Sequence, residues 1–255
     1  MLRTLCIIWF CQLTFGVLTI TVYRKESEEL KDGEQPLIEE KELTEDEIAE
    51  RDAPVSGMLM SGTFWHIYLI SLTQIFYGYY IINQFKTYGL GYGHDDTFLS
   101  VVGAIGSLFN GFLRIFWSSL LDKYPFHKVY GTLCGIQIFL IITIAWMVQS
   151  KWLYFWNICL SMMCEGAICS ILPTITLMKF GHKRGHDVFA YMFSSYGVSS
   201  MGGAVLVNLL QYSIGFVGFF ILSLVLTVIT VFLMLRFHPD QKFDYKTIHS
   251  AKVAN

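Results

Sequence analysis

Apolar residues run through this chain in long unbroken stretches, with polar positions gathered between them. The stretches are 4–23, 65–85, 98–121, 128–148, 152–177, 187–211 and 214–236. Each is long enough to cross a hydrocarbon core of ~30 Å as a helix. Barrel strands would be about ten residues long and would alternate in polarity, which these do not. Backbone in lipid must satisfy its own hydrogen bonds, so helices are the remaining option. The pattern predicts an all-α transmembrane protein with seven spans. From Glu26 to Asp52 periodic apolar content almost vanishes, and that stretch reads as a solvated, largely disordered linker. The expected layout is a first span within 1–23, a linker over 24–62, a six-helix bundle over 63–236 and a tail over 237–255.

Composition supports the pattern. The chain is 54% hydrophobic and 15% charged, with a mean hydropathy of +0.49, too apolar for a soluble domain of 255 residues. Residues 24–62 hold 13 of the 20 acidic residues and 5 of the 18 basic ones. If that linker is cytoplasmic, 14 basic residues lie inside, while Arg3, Lys86 and Lys151 lie outside and Arg114 lies within the membrane. The positive-inside rule then places the N-terminus outside and the C-terminus inside. Met1-Leu2-Arg3 before an apolar run also fits a signal peptide. The run is longer than a usual signal core, however, and no small-residue cleavage site follows, so a true span is expected. Its two-residue lead-in suggests a chain that begins partway through a larger protein. The six cysteines, Cys6, Cys11, Cys134, Cys159, Cys164 and Cys169, all fall in predicted spans, where they read as small buried apolar residues and imply no disulfide framework.

Two charges stand in the interior of the predicted spans, away from their ends. Arg114 lies eight residues before Asp122, the next charge, and so ~12 Å into the span at ~1.5 Å per residue. Its side chain is too short to reach the cytoplasmic surface from there. A charge at that depth faces a protein interior or a watery cavity. The planar guanidinium suits a carboxylate, and Asn110 precedes it by one turn on the same face. Glu165 sits in the middle of the fifth span, before Gly166. It reads either as an ion-pair partner for Arg114 or as a proton-coupling acid that titrates as substrate comes and goes. In the sixth span Ser195, Ser199 and Gly202 share a face, either a packing seam or part of a wet cavity wall. Tyr77, Tyr79, Tyr80 and Asn83 fit an interfacial aromatic belt or a cavity lining.

The six-span block divides into triplets over 65–148 and 152–236. Each has a first helix with a midway glycine (Gly78, Gly166). Each has a small-residue-rich middle helix (Gly103, Gly106, Gly111; Gly197, Gly202, Gly203). Many secondary transporters build each half from such a repeat. Asn110, Arg114, Trp117 and Asp122-Lys123, then Glu165-Gly166 through Leu172-Pro173-Thr174 to Phe180-Gly181, then Tyr191 to Gly203, carry a further likeness. Together they resemble the C-terminal half of a major facilitator superfamily transporter, within it the oxalate/formate antiporter and monocarboxylate transporter group. The resemblance implies that Arg114 binds the substrate carboxylate, with Asn110, Tyr196, Ser199 and Tyr77 as further substrate-binding candidates. It implies Glu165 as the coupling residue and Asp122 with Lys123 as a gate. The seven spans would be helices six to twelve. An N-terminal half would be a missing partner, without which the chain alone should not transport. Tyr196 stands where the oxalate/formate antiporters carry a lysine, which counts against dicarboxylates, and Ser118 replaces a usual glycine.

The implied function is alternating-access transport of small organic, monocarboxylate-like anions in a lipid bilayer, with no cofactor, metal or nucleic-acid partner. A truncated or non-transporting membrane partner is the alternative. A seven-helix receptor fits less well: the third predicted helix ends Leu121-Asp122-Lys123 and the last span lacks an NPxxY sequence. An intramembrane enzyme fits poorly because all seven histidines fall at span ends, in loops or in the tail. His182 and His186 are four apart, but Lys183-Arg184-Gly185 between them points to a loop, not a metal site. Cysteine labelling at positions Ser27 and Gly93 tests the topology. Ser27→Cys is expected to be protected in intact cells and Gly93→Cys to be labelled, and external labelling at position 27 would reverse the orientation.

Overall fold

The computed structural model describes residues 54–238 and Phe243, with the backbone alone for residues 182 and 183. The predicted first span, most of the linker and most of the tail lie outside the described residues. Every regular element described is an α-helix. A short helix α1, Val55–Leu59, lies inside the range expected to be linker, and its Met58 is fully buried. Met58 and Leu59 pack this stretch against the bundle core.

Helix α2 spans Gly62–Gly91 and begins at Ser61, whose hydroxyl accepts from the Phe64 amide at 3.2 Å. A side-chain acceptor here satisfies one of the amides that the first turn leaves without an intrahelical partner. Gly93, at φ 83°, closes the following turn. Helix α3, Asp96–Lys123, is capped by Asp95, which accepts from the Thr97 and Phe98 amides. Helix α4, Phe126–Met147, starts after Pro125, and α5 covers Lys151–Met192. Helix α6 covers Ser194–Arg236.

Two glycines interrupt the last two elements. Gly181 (φ 72°, ψ 176°) breaks α5, and Gly215 (φ 62°, ψ −170°) breaks α6. Both adopt a positive φ that costs glycine little and other residues much more. The loop expected between 177 and 187 is therefore reduced to a sharp break at Gly181. The break expected near 212 falls at Gly215. Among the described residues, four helical stretches are long and apolar enough to cross a membrane: Asp96–Lys123, Phe126–Met147, Lys151–Gly181 and Arg184–Arg236, the last bent at Gly215. The expected span at 65–85 lies within α2. This helix is long enough, but Gln74, Asn83, Gln84 and five tyrosines make it less apolar.

The most extensive packing joins α3 to α5 and α2 to α6, so elements from the two predicted triplets interlock. One core cluster gathers Ile67, Trp117, Leu133, Ile171 and Phe180, and the other gathers Tyr77, Tyr80, Leu99, Tyr154 and Phe219. A buried polar ladder links α2, α4 and α6. Gln74 Nε2 donates to Gln137 Oε1 at 2.7 Å, and Gln137 Nε2 donates to Thr227 Oγ1 at 2.9 Å. Thr73 and Thr230 share a hydroxyl contact of 2.7 Å. Cys134, Cys159 and Cys164 are buried free thiols and Cys169 is half-buried, as expected of cysteines in spans.

The ladder generates a prediction. Gln137→Leu strands the Gln74 amide and is expected to cost about 1 kcal/mol, within the ~0.6–1.7 kcal/mol found for hydrogen bonds between membrane helices. The Gln74→Leu/Gln137→Leu double variant should lose less than the sum of the single variants. Thermal unfolding of the three proteins in detergent measures this, and strictly additive losses would mean that the two amides do not depend on each other.

Candidate functional site

The site forms where α5 crosses α2 and α3, and small residues set how near the helices come. Lipid gives no hydrophobic drive between helices, so close backbone approach and polar contacts carry the association. A Cβ on Gly166 would run into the backbone of Asn110, and one on Gly106 would meet the Met162 sulfur. These contacts bring α3 onto α5. The Asn110 amide then reaches across and donates to the Met162 carbonyl at 2.9 Å.

Asn110 also takes a hydrogen bond from its own helix. Arg114 Nη2 donates to Asn110 Oδ1 at 2.8 Å, so the predicted one-turn spacing becomes a contact. The rest of the Arg114 side chain is exposed, although it lies within an apolar helix. No carboxylate lies within 4.0 Å of it among the described residues.

Glu165 is only 3% exposed. It does not pair with Arg114, the partner that sequence spacing suggested. Its Oε1 accepts from the Tyr196 hydroxyl of α6, and its Oε2 has no partner. The carboxyl fills the space over Gly78 of α2, where a Cβ would collide with it. Glu165 directly precedes Gly166, which lies against the backbone of Asn110, the residue that holds Arg114. The Cys169 thiol points at the Tyr196 oxygen at 3.7 Å. Arg114, Asn110, Glu165 and Tyr196 therefore form one neighbourhood drawn from three helices.

The other expected residues take different places. Tyr77 is buried beside Gly78, with its hydroxyl 2.8 Å from Ser161 Oγ, one turn before Glu165. It supports the crossing from the protein side. Ser199 is buried and donates to the Leu72 carbonyl at 3.2 Å. The buried seam on α6 runs Ser195, Ser199, Gly203, while Gly202 stands exposed. Spacing of four tracks that buried face, and Gly203 lies against Tyr79. Asp122 and Lys123 are exposed at the end of α3 and form no ion pair with each other or with any described residue. Tyr79, Tyr80, Asn83 and Asn208 line a separate polar cavity of about 220 Å³ between α2 and α6, with Tyr80 donating to Gln211 at 3.3 Å.

Sequence reasoning noted Gly78 as a repeat feature without seeing it as the seat of Glu165. A lone glycine in the Tyr77–Tyr80 aromatic run was the available signal. The glutamines of the α2–α4 ladder were equally visible as amides in apolar runs and were not singled out.

The sequence model of the Major Facilitator Superfamily matches residues 4–204. The chain is also similar to the apicoplast pyruvate carrier 2 of Toxoplasma gondii, 27% identical over 161 residues. That match takes in 60% of this chain and 24% of the carrier, so the chain spans about a quarter of the length of the curated relative it matches.

Filling the space over Gly78 tests the crossing. Gly78→Ala is expected to displace the Glu165 carboxyl and cost about 1–3 kcal/mol, as overpacking does. Adding Glu165→Ala should recover most of that loss, because the two changes meet at one contact. Unfolding temperatures of the single and double variants read the coupling, and equal loss with or without Glu165 would remove Gly78 as its seat.

Proposed function

Because the chain belongs to the Major Facilitator Superfamily, and so is an integral multi-pass membrane protein of a transporter family and not an enzyme family, we propose that it forms the anion-binding wall of an alternating-access carrier for small monocarboxylates. The observation that carries this reading is Arg114: a guanidinium within an apolar helix, exposed, and engaged only by Asn110 among the described side chains. A carboxylate meets the free part of that fork with two parallel hydrogen bonds. Asn110 holds Nη2 and so fixes the plane in which the carboxylate is met. A second helical bundle supplies the opposite wall of the cavity, since alternating access rocks one bundle against another. The exposed Asp122 and Lys123 would pair with that bundle at the gate.

Glu165 acts in this reading as the coupling acid. It is buried, bound by Tyr196 on one oxygen and unpartnered on the other. A proton on Oε2 would remove a charge that the membrane interior tolerates poorly. Loss of that proton would set Glu165 against the substrate for the field of Arg114. Tyr196, in place of a second cation, suits a substrate with a single carboxylate. A keto group beside that carboxylate could accept from the Tyr196 hydroxyl once that single donor leaves Glu165 Oε1, so pyruvate, the compound in the relative's name, is the first substrate to test.

Uptake of labelled pyruvate by the complete carrier, at matched surface levels, tests the assignment. Arg114→Ala is expected to weaken binding by roughly 30-fold or more, the loss typical of removing one partner of a hydrogen-bonded charge pair. Arg114→Lys keeps the charge but not the fork and should fall between the two. Undiminished uptake in Arg114→Ala would rule out the role. A Glu165→Gln carrier should retain substrate exchange while losing the dependence of net uptake on a pH gradient, and an unchanged dependence would remove Glu165 from coupling.

A further inference from the structure

At the end of the bundle where α2 begins and α6 ends, a cleft of about 390 Å³ opens between three helices. It is lined by Gly62, Thr63 and His66 of α2, Lys179 of α5, and Arg236, Phe237 and His238 at the close of α6. None of these residues belongs to the neighbourhood of Arg114 and Glu165. Two of the lining residues are basic, Lys179 and Arg236, two are imidazoles, and none of those described is acidic.

The cationic groups are held in place. Lys179 is almost fully buried, with its ammonium donating to the His238 carbonyl at 2.5 Å and lying 5.2 Å over the Phe237 ring. His66 Nε2 lies 2.8 Å from the Leu233 carbonyl, and His238 Nδ1 lies 3.2 Å from the Arg236 carbonyl. A carbonyl can only accept, so each of these ring nitrogens donates there. Arg236 is exposed and brings its guanidinium to the cleft.

The flanks of the cleft are apolar and face outward. Trp65, beside His66, is exposed, as are Phe232 and Leu235 just before Arg236. Tryptophan at this level is typical of the membrane–water boundary. Outward phenylalanine and leucine leading into a basic group offer a path for acyl chains below a headgroup. The basic asymmetry of the sequence makes this the cytoplasmic end, where anionic lipids gather and basic clefts between membrane helices take their headgroups.

We propose that this cleft binds a phosphate group, and that its place at the ends of three helices favours a phospholipid headgroup as the source over a free phosphate ester. Phosphate oxygens would accept from the Arg236 fork and the Lys179 ammonium. A volume of about 390 Å³ admits a headgroup and not merely a bare ion.

The test uses the purified full chain in neutral detergent, with three probes: dioleoyl phosphatidic acid, dioleoylglycerol, which lacks the phosphate, and inorganic phosphate. Native mass spectrometry reads bound lipid and thermal unfolding reads protection. Phosphatidic acid is expected to be retained and to raise the unfolding temperature, while dioleoylglycerol does neither. Arg236→Gln should weaken its binding about fivefold, the usual loss for one basic residue near the membrane surface. Thr63→Glu, which sets a negative charge at the cleft without removing a cation, should weaken it at least as much. Both positions are at least partly exposed, and the unfolding temperature without ligand reports whether each variant folds. Equal protection by inorganic phosphate, lost in the same two variants, supports the phosphate site and assigns it to a free phosphate. Phosphatidic acid retained equally by wild type and both variants, or no better than dioleoylglycerol, would overturn the proposal.

Discussion

Helix α5 can lie close to both α2 and α3 because three glycines leave it room. Gly78 takes the Glu165 carboxyl, Gly166 lies on the Asn110 backbone, and Gly106 meets the Met162 side chain. Between membrane helices, where lipid is as apolar as the side chains, such close approach does much of what the hydrophobic effect does in water. The rest of the site follows from it. Asn110 reaches the Met162 carbonyl only because the backbones are near, and Arg114 is held by Asn110. Tyr196 of α6 finds Glu165 only because the carboxyl is folded back over Gly78.

Two polar groupings share the interior and differ in how completely they are satisfied. The amides of Gln74 and Gln137 bond to each other and on to Thr227, a closed chain that ties α2, α4 and α6 together. Polar groups satisfied in this way rigidify a core. The grouping around Glu165 is open by comparison. One carboxyl oxygen lacks a partner, and most of the Arg114 guanidinium is left to its surroundings. A buried polar atom without a partner is costly, so the grouping around Glu165 is the less satisfied of the two among the described residues.

The placement of Glu165 also alters the electrostatics expected from the sequence. A direct pair with Arg114 would neutralise both charges and occupy the fork. With the carboxyl held by Tyr196, no described carboxylate occupies the donors of Arg114 that Asn110 leaves free.

Long apolar runs, a deep Arg114 and a mid-run Glu165 were legible in the chain, and so was the helical class. The reason is that lipid forces each backbone to close its hydrogen bonds locally, so run length alone dictates helices, and an isolated charge is conspicuous in such a run. The sequence did not say which face of each helix turns inward, since runs that are apolar all round carry little directional signal. Packing decided that Gly203 and not Gly202 joins the buried seam with Ser195 and Ser199, and that the Tyr77 hydroxyl meets Ser161 at the crossing. It also decided that Gly181 and Gly215, and not polar loops, break the last helices. By itself the sequence determined the elements and their charges, because those depend on short-range backbone and solvation energies. Only the tertiary structure decided that Glu165 meets Gly78 and Tyr196 instead of Arg114, because that choice depends on how closely three helices approach at single glycines.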